Sequence, residues 1–358
     1  MAKIDILLPV KNGKDFLAEA IDSVIAQSFT DWRLLVLDHG STDGSREMAE
    51  AYHGRDKRVE VRSFPEAKGL SGLLNRGLDE CDCDYVVRHD ADDVCFPDRF
   101  ALQLAGFRDQ PDCIAMGGQS ELINAAGEHI TEQSVPVGRA RNTAASLFRN
   151  PVTHPTAMID FAAIERLGVR YGTDFIHVLP EADRIEVPHL AEDYFLFGQL
   201  AVLGKVNNLP DRLIRYRWHT SNVSVTRFAE QMDVSLLVSR YLTRSFCAYH
   251  KVPYFDPAPF CNHGAKFFDV DGRGNFDRAF EVMAATLRQV LGQSEELDRE
   301  LAFRWVASTR RELGLAGRYW SFQKKHAPET GEWLAVRAWM LRHLPGRASL
   351  RVAAEGRA

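Results

Sequence analysis

Residues 4–45, IDILLPVKNGKDFLAEAIDSVIAQSFTDWRLLVLDHGSTDGS, carry the pattern that decides the fold. Ile4–Val10 is a short apolar run that ends in turn-forming residues, which predicts a buried strand. Apolar residues then recur at helical spacing from Phe16 to Ile25, and Trp32–Leu37 is a second run typical of a buried strand. This order indicates two parallel strands joined by a helix that covers them.

The same alternation continues with a helix from about Arg46, a strand at Val59–Ser63, a helix at Ser71–Asp79 and a strand at Tyr85–Arg88. We therefore predict an α/β fold with a mostly parallel central sheet and helices on both faces. In such sheets, ligands bind beyond the carboxyl ends of the strands. The polar loops expected at that edge are 9–13, 38–45 and 89–97.

Composition excludes several classes of protein. The 358 residues are 45% hydrophobic and 26% charged, which is ordinary for a folded chain. No apolar run approaches the ~20 residues that cross a bilayer, and the first ten residues lack the features of a secretory signal. A net charge of −5 argues against a nucleic-acid-binding protein. Six scattered cysteines do not form a disulfide or zinc framework, so we expect reduced thiols in the cytoplasm.

The chain changes character after about residue 225, which divides it into 1–225 and a mainly helical region, 226–358. The helices are predicted at Glu230–Tyr249, Asp277–Leu291, Ser294–Leu313 and Glu332–Leu344. From Arg299 onward, Lys and Arg outnumber Asp and Glu by seven, and three tryptophans interleave with them: Trp320, Trp333 and Trp339. This pattern suits a helix that lies on an anionic membrane; the alternative is an appendage that packs on the first domain or forms a homodimer.

The strongest chemical signal is the run His89–Arg99, HDADDVCFPDR, directly after a predicted strand. It contains three carboxylates within four positions: Asp90, Asp92 and Asp93. Such crowding raises carboxyl pKa values unless a cation compensates, and a hard divalent ion prefers carboxylate and phosphate oxygens. We therefore expect Mn²⁺ or Mg²⁺ here, with a solvated acidic loop as the alternative.

A second acidic pair, Glu192 and Asp193, precedes an aromatic, helical run. Acids at that position usually cap the helix and complement its dipole. Neither a GxSxG motif nor a GxxxxGK[ST] loop is present in the sequence, which excludes the esterase and kinase classes that depend on them.

Taken together, residues 3–225 resemble the family 2 glycosyltransferases of GT-A fold. The matching stretches, in the family's order, are residues 4–45, GLLNRGLDECDCDYVVRHDADDVCFPDRF, NPVTHPTAMI and HLAEDYFLFGQLAVLGKVNNLPDRLIRYRWHTSNVS. The resemblance implies a nucleotide-binding half, 1–100, and an acceptor half, 101–225. The pattern from Asn150 through Ser224, followed by a helical tail, is similar to that of bacterial enzymes that extend lipooligosaccharide, capsule or exopolysaccharide chains of the cell envelope.

The resemblance also implies roles for single residues. Those matched to nucleotide binding are Pro9, Val10, Asn12, Asp38, His39, Lys68, Asn75, Arg76, Asp90, Ala91 and Asp92. His39 stands where the family usually carries a second acid that approaches the nucleobase, so either that contact changes or the imidazole makes a hydrogen bond to the base in the carboxylate's place. Lys68 stands where relatives often carry Asn, and a surface lysine is its other interpretation. The metal ligands are Asp90 and Asp92, with Asp93 as the alternate.

On the acceptor side, Asp193 matches the catalytic base, and Glu192 contacts the acceptor or holds Asp193. His154 matches an acceptor loop, with a structural role as the alternative. Arg217 and His219 match a segment that closes over the diphosphate; the alternative is a well-packed final strand.

The resemblance implies an inverting glycosyltransferase that moves a sugar from a nucleotide diphosphate, such as UDP-GlcNAc or UDP-Gal, to a hydroxyl of a glycan or lipid-linked acceptor. The expected location is the cytoplasm, or the cytoplasmic face of the inner membrane. Two alternatives stay open: an inactive homologue that binds nucleotide or glycan, and a sugar-phosphate nucleotidyltransferase. The second would need a glycine-rich basic loop after the first strand, where Pro9–Gly13 supplies one glycine and one lysine.

Overall fold

The computed structural model describes residues 3–219, 226–261, 276–309, 311–329 and 332–340. The first half alternates strands and helices as predicted: β1 (Ile4–Val10), α1 (Lys14–Ile25), β2 (Trp32–Asp38), α2 (Ser45–Arg55), β3 (Val59–Ser63), α3 (Gly69–Asp79), β4 (Tyr85–Arg88), β5 (Val94–Cys95) and α4 (Arg99–Asp109). The predicted sheet-forming runs therefore exist as strands with nearly the predicted bounds.

The second half begins with β6 (Ala115–Ile123), β7 (His129–Gln133), α5 (Arg139–Ser146), β8 (Met158–Asp160), α6 (Phe161–Leu167), α7 (Glu192–Val202) and β9 (Val206–Arg217). Helices follow: α8 (Phe228–His250), α9 (Asp277–Leu291), α10 (Glu295–Ala307), α11 (Glu312–Gln323) and α12 (Glu332–Met340). Among the described residues, no helix combines the length and apolar character needed to cross a bilayer.

The prediction of one helix over 294–313 is wrong in its extent, because α10 ends at Ala307 and α11 begins at Glu312. The Ser308 hydroxyl donates to the Trp305 carbonyl at 2.9 Å and to Asp277 at 2.8 Å. A serine side chain that binds backbone in this way competes with helix continuation. The predicted helix end at Leu344 and most of the basic tail lie outside the described residues.

Strands of the described residues pair in the order β3-β2-β1-β4-β8-β6-β9-β5, with β7 beside β6. The strands β3, β2, β1 and β4 are parallel. Further along, β4 with β8, β8 with β6 and β9 with β5 are antiparallel, while β6 and β9 are parallel. The sheet is parallel where the strand–helix alternation is regular and mixed where short strands return between helices.

Helices cover both faces of the sheet, because successive side chains of a strand point to opposite faces. Ile6 and Leu8 of β1 belong to a buried cluster with α1 and α2, whereas Leu7 belongs to a cluster with α3, α6 and α7. The two layers place the carboxyl ends of β1, β2 and β4 at one open edge.

The helices after residue 225 share a core with the first domain. Buried residues of α5 and α7 form one cluster with α8, α9 and α10, including Phe195, Phe246 and Leu297. Packing is close enough that a Cβ on Gly198 would lie 2.2 Å from Leu242 of α8. The two-domain division at residue 225 stays a prediction, and the hydrophobic core is continuous across it.

Candidate active site

Three loops meet at the open edge of the sheet. The Asn12 side-chain oxygen accepts from the Thr42 backbone N–H at 2.8 Å, and the Gly13 N–H donates to the Ser45 hydroxyl at 3.0 Å, which joins the loops after β1 and β2. A Cβ on Gly13 would lie 3.7 Å from that of Ala91, which brings the loop after β4 to the same place. Pro9 and Val10 are buried at the end of β1 beneath these loops.

The loop after β4 holds the aspartate cluster. Oxygens of Asp90, Asp92 and Asp93 all lie within 4.8 Å of one another. Asp93 is buried, accepts from the Arg217 backbone N–H at 2.8 Å, and keeps a second oxygen, Oδ2, without a hydrogen-bond partner among the described residues. Burial, then the charges of Asp92 and Asp90, raises the pKa of Asp93.

Two cationic or hydrogen-bonding groups hold the other members of the cluster. His219 Nε2 lies 2.9 Å from Asp92 Oδ2, and its ring stacks on Phe16. The buried guanidinium of Arg88 donates to Asp90. Burial raises the pKa of Asp90, as does Asp92, while Arg88 opposes them.

This donor set fits a hard divalent cation. The three groups are carboxylates, the ligand type that Mg²⁺ and Mn²⁺ prefer, and each ionised carboxylate offers about four lone-pair positions. The unpartnered oxygen of buried Asp93 is the observation that favours a ligand there, because a buried polar atom is normally satisfied.

Another group, Asp5 with Cys81 and Cys83, is close enough to hold an ion. Arg33, however, donates to both Asp5 oxygens, at 3.0 and 2.6 Å. The positive charge required beside buried Asp5 is therefore already supplied by the protein.

Glu192 and Asp193 begin α7 after an unusual backbone turn. Leu190 and Ala191 both have positive φ, 57° and 82°, which residues with a side chain rarely adopt. Asp193 accepts from the Asn150 amide at 2.8 Å through Oδ2 and from the Tyr194 N–H at 2.8 Å through Oδ1. Strained backbone that persists in this way is typical of functional sites.

Burial dominates the titration of the pair. It raises the pKa of Asp193 to about 6, and together with the charge of Asp193 it raises the pKa of Glu192 to about 7. The charges of Arg88 and Asp90 also act on both carboxyls. Hydrogen bonds connect the two groups in space, because the Arg88 N–H donates to the Ala157 carbonyl at 3.0 Å and Asn150, in the segment that leads to Ala157, donates to Asp193.

His154 and Tyr171 lie in the same neighbourhood. His154 Nε2 is 3.0 Å from the Tyr171 hydroxyl, and burial, followed by the charge of Arg88, lowers the pKa of His154. Sequence reasoning missed Tyr171, for which no local signal exists. It also missed Arg88, although a charged residue in an otherwise apolar strand is itself a signal, since a buried arginine needs partners.

Several residues matched to nucleotide binding make contacts within the protein. Asp38 is buried and accepts from the Gly40 and Ser41 N–H groups at 3.2 and 3.0 Å. His39 Nε2 lies 2.8 Å from the Ala67 carbonyl oxygen. These contacts organise the loop after β2.

On α3, the Asn75 amide pairs with both backbone groups of Tyr171, at 3.1 and 2.8 Å. Arg76 lies over the Phe64 ring, and Lys68 is exposed just before the helix. The geometry gives Asn75 a structural role and agrees with the surface interpretation of Lys68.

Arg217 is almost fully buried, and its guanidinium is directed to partners within the protein. It donates to the carbonyls of Asp92, Asn124 and Ala125 at 2.8 to 3.2 Å, and pairs with Glu19 at 2.5 Å. This geometry favours the packing interpretation of Arg217 over a contact with a diphosphate. Residues 220–225 of the predicted closing segment lie outside the described residues.

Known protein families and solved structures resemble this chain. Residues 5–167 match the family model described as Glycosyl transferase family 2. An uncharacterized glycosyltransferase of Haemophilus influenzae is 28% identical over 226 residues, which cover 63% of this chain and 78% of that protein. A putative teichuronic acid biosynthesis glycosyltransferase, TuaG of Bacillus subtilis, is 27% identical over 117 residues, which cover 33% of this chain and 46% of that protein.

Among solved structures, S. aureus TarS 1-349 in complex with UDP-GlcNAc aligns with a TM-score of 0.52 at 14% identity, covering 90% of each chain. At that identity the likeness concerns the fold alone, and it confirms the predicted GT-A architecture.

Proposed function

We propose that this chain, a glycosyltransferase whose residues 5–167 match the family 2 model, transfers a sugar from a nucleotide diphosphate to an acceptor hydroxyl with inversion at the anomeric carbon. The observation that carries the proposal is the shared neighbourhood of two acidic groups. The Arg88 N–H, at the end of β4, donates to the Ala157 carbonyl at 3.0 Å, and Asn150, in the segment that leads to Ala157, donates to Asp193 at 2.8 Å. We infer that one substrate contacts both groups.

The aspartate cluster would hold the donor's diphosphate. Asp90, Asp92 and Asp93 would bind Mn²⁺ or Mg²⁺, which neutralises charge on a leaving nucleotide diphosphate when it is bound. Arg88 and His219 fix the directions of Asp90 and Asp92. TarS was solved with UDP-GlcNAc, and we propose a UDP-sugar as the donor of this chain. The loops that carry Asn12, Asp38 and His39 would surround the nucleoside.

Asp193 would act as the general base. A carboxylate with a pKa near 6 is mostly ionised at neutral pH and still accepts a proton as the acceptor oxygen bonds to the sugar. Glu192, with its higher pKa, is the better hydrogen-bond donor to an acceptor. Displacement from the face opposite the leaving nucleotide gives inversion, in contrast to the double displacement of retaining hydrolases.

Nucleotide release tests this function. Purified protein would be incubated with UDP-GlcNAc, UDP-Glc, UDP-Gal or GDP-Man, with Mn²⁺ or with EDTA. We expect metal-dependent release with at least one donor, and a loss of about 100-fold or more in Asp92→Asn and Asp193→Asn. Asp82→Asn, an exposed aspartate before the start of β4, is the matched control.

Binding of a donor without release would support the inactive homologue instead. Full activity in Asp193→Asn would remove the assignment of the base.

We also propose a glycan or lipid-linked acceptor at the cytoplasmic face of the membrane. Leu313 and Trp320, seven residues apart on α11, are 90% and 63% exposed, and Lys324 lies over the Trp320 ring at 3.4 Å. An exposed apolar stripe beside basic residues fits an anionic membrane surface. Flotation with phosphatidylglycerol vesicles, compared with phosphatidylcholine vesicles and with Leu313→Ser/Trp320→Ser, tests this location. Equal flotation in all arms would contradict it.

A further inference from the structure

We propose that Asn150 is the positioning residue for the Asp193 carboxylate and that the C-terminal helices hold Asn150 in place. The proposal rests on the proposed role of Asp193 as base. It gives the region after residue 225 a part in catalysis, which is distinct from its proposed contact with membranes.

The oxygen and the NH₂ group of the Asn150 side chain both make hydrogen bonds within the protein. Its carbonyl oxygen accepts from the Val152 N–H at 3.2 Å, and its NH₂ group donates to Asp193 Oδ2 at 2.8 Å. Because the backbone N–H of Val152 can only donate, it requires the amide oxygen on its side. The NH₂ group must then face Asp193.

The Asp193 carboxylate is consequently held at two points. Oδ1 accepts from the Tyr194 N–H at 2.8 Å, and Oδ2 accepts from Asn150. Two donors on different oxygens prevent the carboxylate from rotating. They also stabilise its ionised form, which burial disfavours. A base held in this way needs no reorientation when an acceptor hydroxyl arrives.

The residue before Asn150 connects the segment to the C-terminal helices. The guanidinium of Arg149 lies 3.9 Å from Glu300 of α10 and 3.8 Å from Glu329, which precedes α12. Arg141 of α5 lies near the same two acids, 3.3 Å from Glu300 and 2.6 Å from Glu329.

Glu300 is buried and serves as a fixed negative charge. Burial would raise its pKa, but the charges of Arg304, Arg149 and Arg141 together lower the pKa to about 2. The α10 helix thereby anchors the segment that presents Asn150 to the base. Breaking such a buried ion cluster is costly, which couples the position of the segment to that of the helices.

A contact with the acceptor is the competing role for Asn150. Loss of an acceptor contact would leave kcat and the pH dependence of donor hydrolysis unchanged, because water takes the place of the acceptor in that reaction. Loss of a positioning donor would lower kcat and move the acidic limb of the pH profile upward, because Asp193 would lose a group that stabilises its charge.

The test compares Asn150→Ala and Asn150→Asp with the wild type. Metal-dependent nucleotide release would be measured from pH 5 to 9 with whichever of UDP-GlcNAc, UDP-Glc, UDP-Gal and GDP-Man is turned over fastest. We expect kcat to fall about tenfold or more in Asn150→Ala, with the acidic limb at higher pH. Asn150→Asp keeps the side-chain volume and the acceptor for the Val152 N–H, but it places a second carboxyl group beside Asp193. Repulsion between the two carboxylates should raise the pKa of Asp193, so the acidic limb should lie at a higher pH than in Asn150→Ala.

The matched control is Tyr52→Phe. It removes a hydrogen bond of similar length from a neutral donor to a carboxylate, 2.9 Å to Asp22, between α2 and α1, and should leave the profile unchanged. Melting temperatures identify any variant that does not fold, in which case the isosteric Asn150→Asp decides.

An unshifted pH profile with unchanged kcat, or a change in KM alone, in a folded Asn150 variant would overturn the positioning role. Full activity in Asp193→Asn, or no turnover of any donor, would overturn the proposed function itself. The two failures are therefore distinguishable.

Discussion

Glu192 and Asp193 are neighbours in sequence whose carboxyl groups have different surroundings. Asp193 accepts hydrogen bonds from Asn150 and Tyr194, whereas burial and the charge of Asp193 dominate at Glu192. The pKa of Asp193 is therefore about 6 and that of Glu192 about 7. At neutral pH the environments favour the ionised form of the first residue and an even mixture of forms for the second.

The raised pKa of Glu192 predicts that the difference in stability between Glu192→Gln and the wild type depends on pH. The folded protein binds the Glu192 proton more tightly than the unfolded chain does. The stability that protonated Glu192 contributes is therefore present below pH 4.5 and is lost as the pH rises through 7. Such a shift corresponds to about 3 kcal/mol. We expect Glu192→Gln to melt a few degrees above the wild type at pH 8.5, with a much smaller gap at pH 5.

Calorimetry at the two pH values would measure this gap, with Glu66→Gln, an exposed glutamate, as the control. An identical gap at both pH values would show that the ionisation of Glu192 does not destabilise the fold.

At the scale of elements, the start of α7 depends on a backbone that most residues resist. Ala191 has φ 82° and is buried, so its small side chain limits the strain. Ala191→Val places a branched side chain in the left-handed region and should destabilise the protein by about 2 kcal/mol or more. Nucleotide release should fall as well, because the turn presents Glu192 and Asp193.

Ala191→Gly is the matched variant, since glycine adopts positive φ without strain. It should melt close to the wild type and keep its activity. Equal behaviour of the valine and glycine variants in thermal melts and turnover assays would contradict the importance of this turn.

The break between α10 and α11 is another property of elements. Apolar periodicity predicts one helix to Leu313, and glycines at 314 and 317 lower helix propensity just where α11 forms. The structure ends α10 at Ala307, where Ser308 binds the Trp305 carbonyl and Asp277 of α9. Contact with α9 thus ends one helix, and packing of Leu315, Tyr319 and Phe322 supports the next.

For the whole molecule, the shared core predicts that residues 1–225 do not fold alone. Removing the later helices would expose buried side chains of α5 and α7, such as Phe195, and leave Arg141 and Arg149 without Glu300 and Glu329. Unpaired buried charges and exposed apolar surface are both strongly unfavourable.

We therefore expect a chain ending at 225 to be insoluble or to lack a cooperative thermal transition by circular dichroism. A chain ending at Met340 keeps every described contact and should melt cooperatively. Cooperative melting of the 1–225 fragment would show that the domain boundary is also a folding boundary.

Short stretches of sequence predict the helices and strands and the acidic residues of the candidate site. Apolar periodicity and turn residues are local properties, so β1 to β4, their helices and the edge that holds Asp90 and Asp92 could all be predicted from short stretches. The family resemblance predicts a catalytic role for Asp193, where the residues alone favour helix capping.

Tertiary structure decided which distant residues meet. The turn of Arg217 toward Glu19, the hydrogen bond from Asn150 to Asp193 and the ion cluster around Glu300 join segments far apart in the chain. No periodicity encodes such partners, because each is selected by burial: a desolvated charge or amide must be satisfied by whichever group the folded backbone brings within reach.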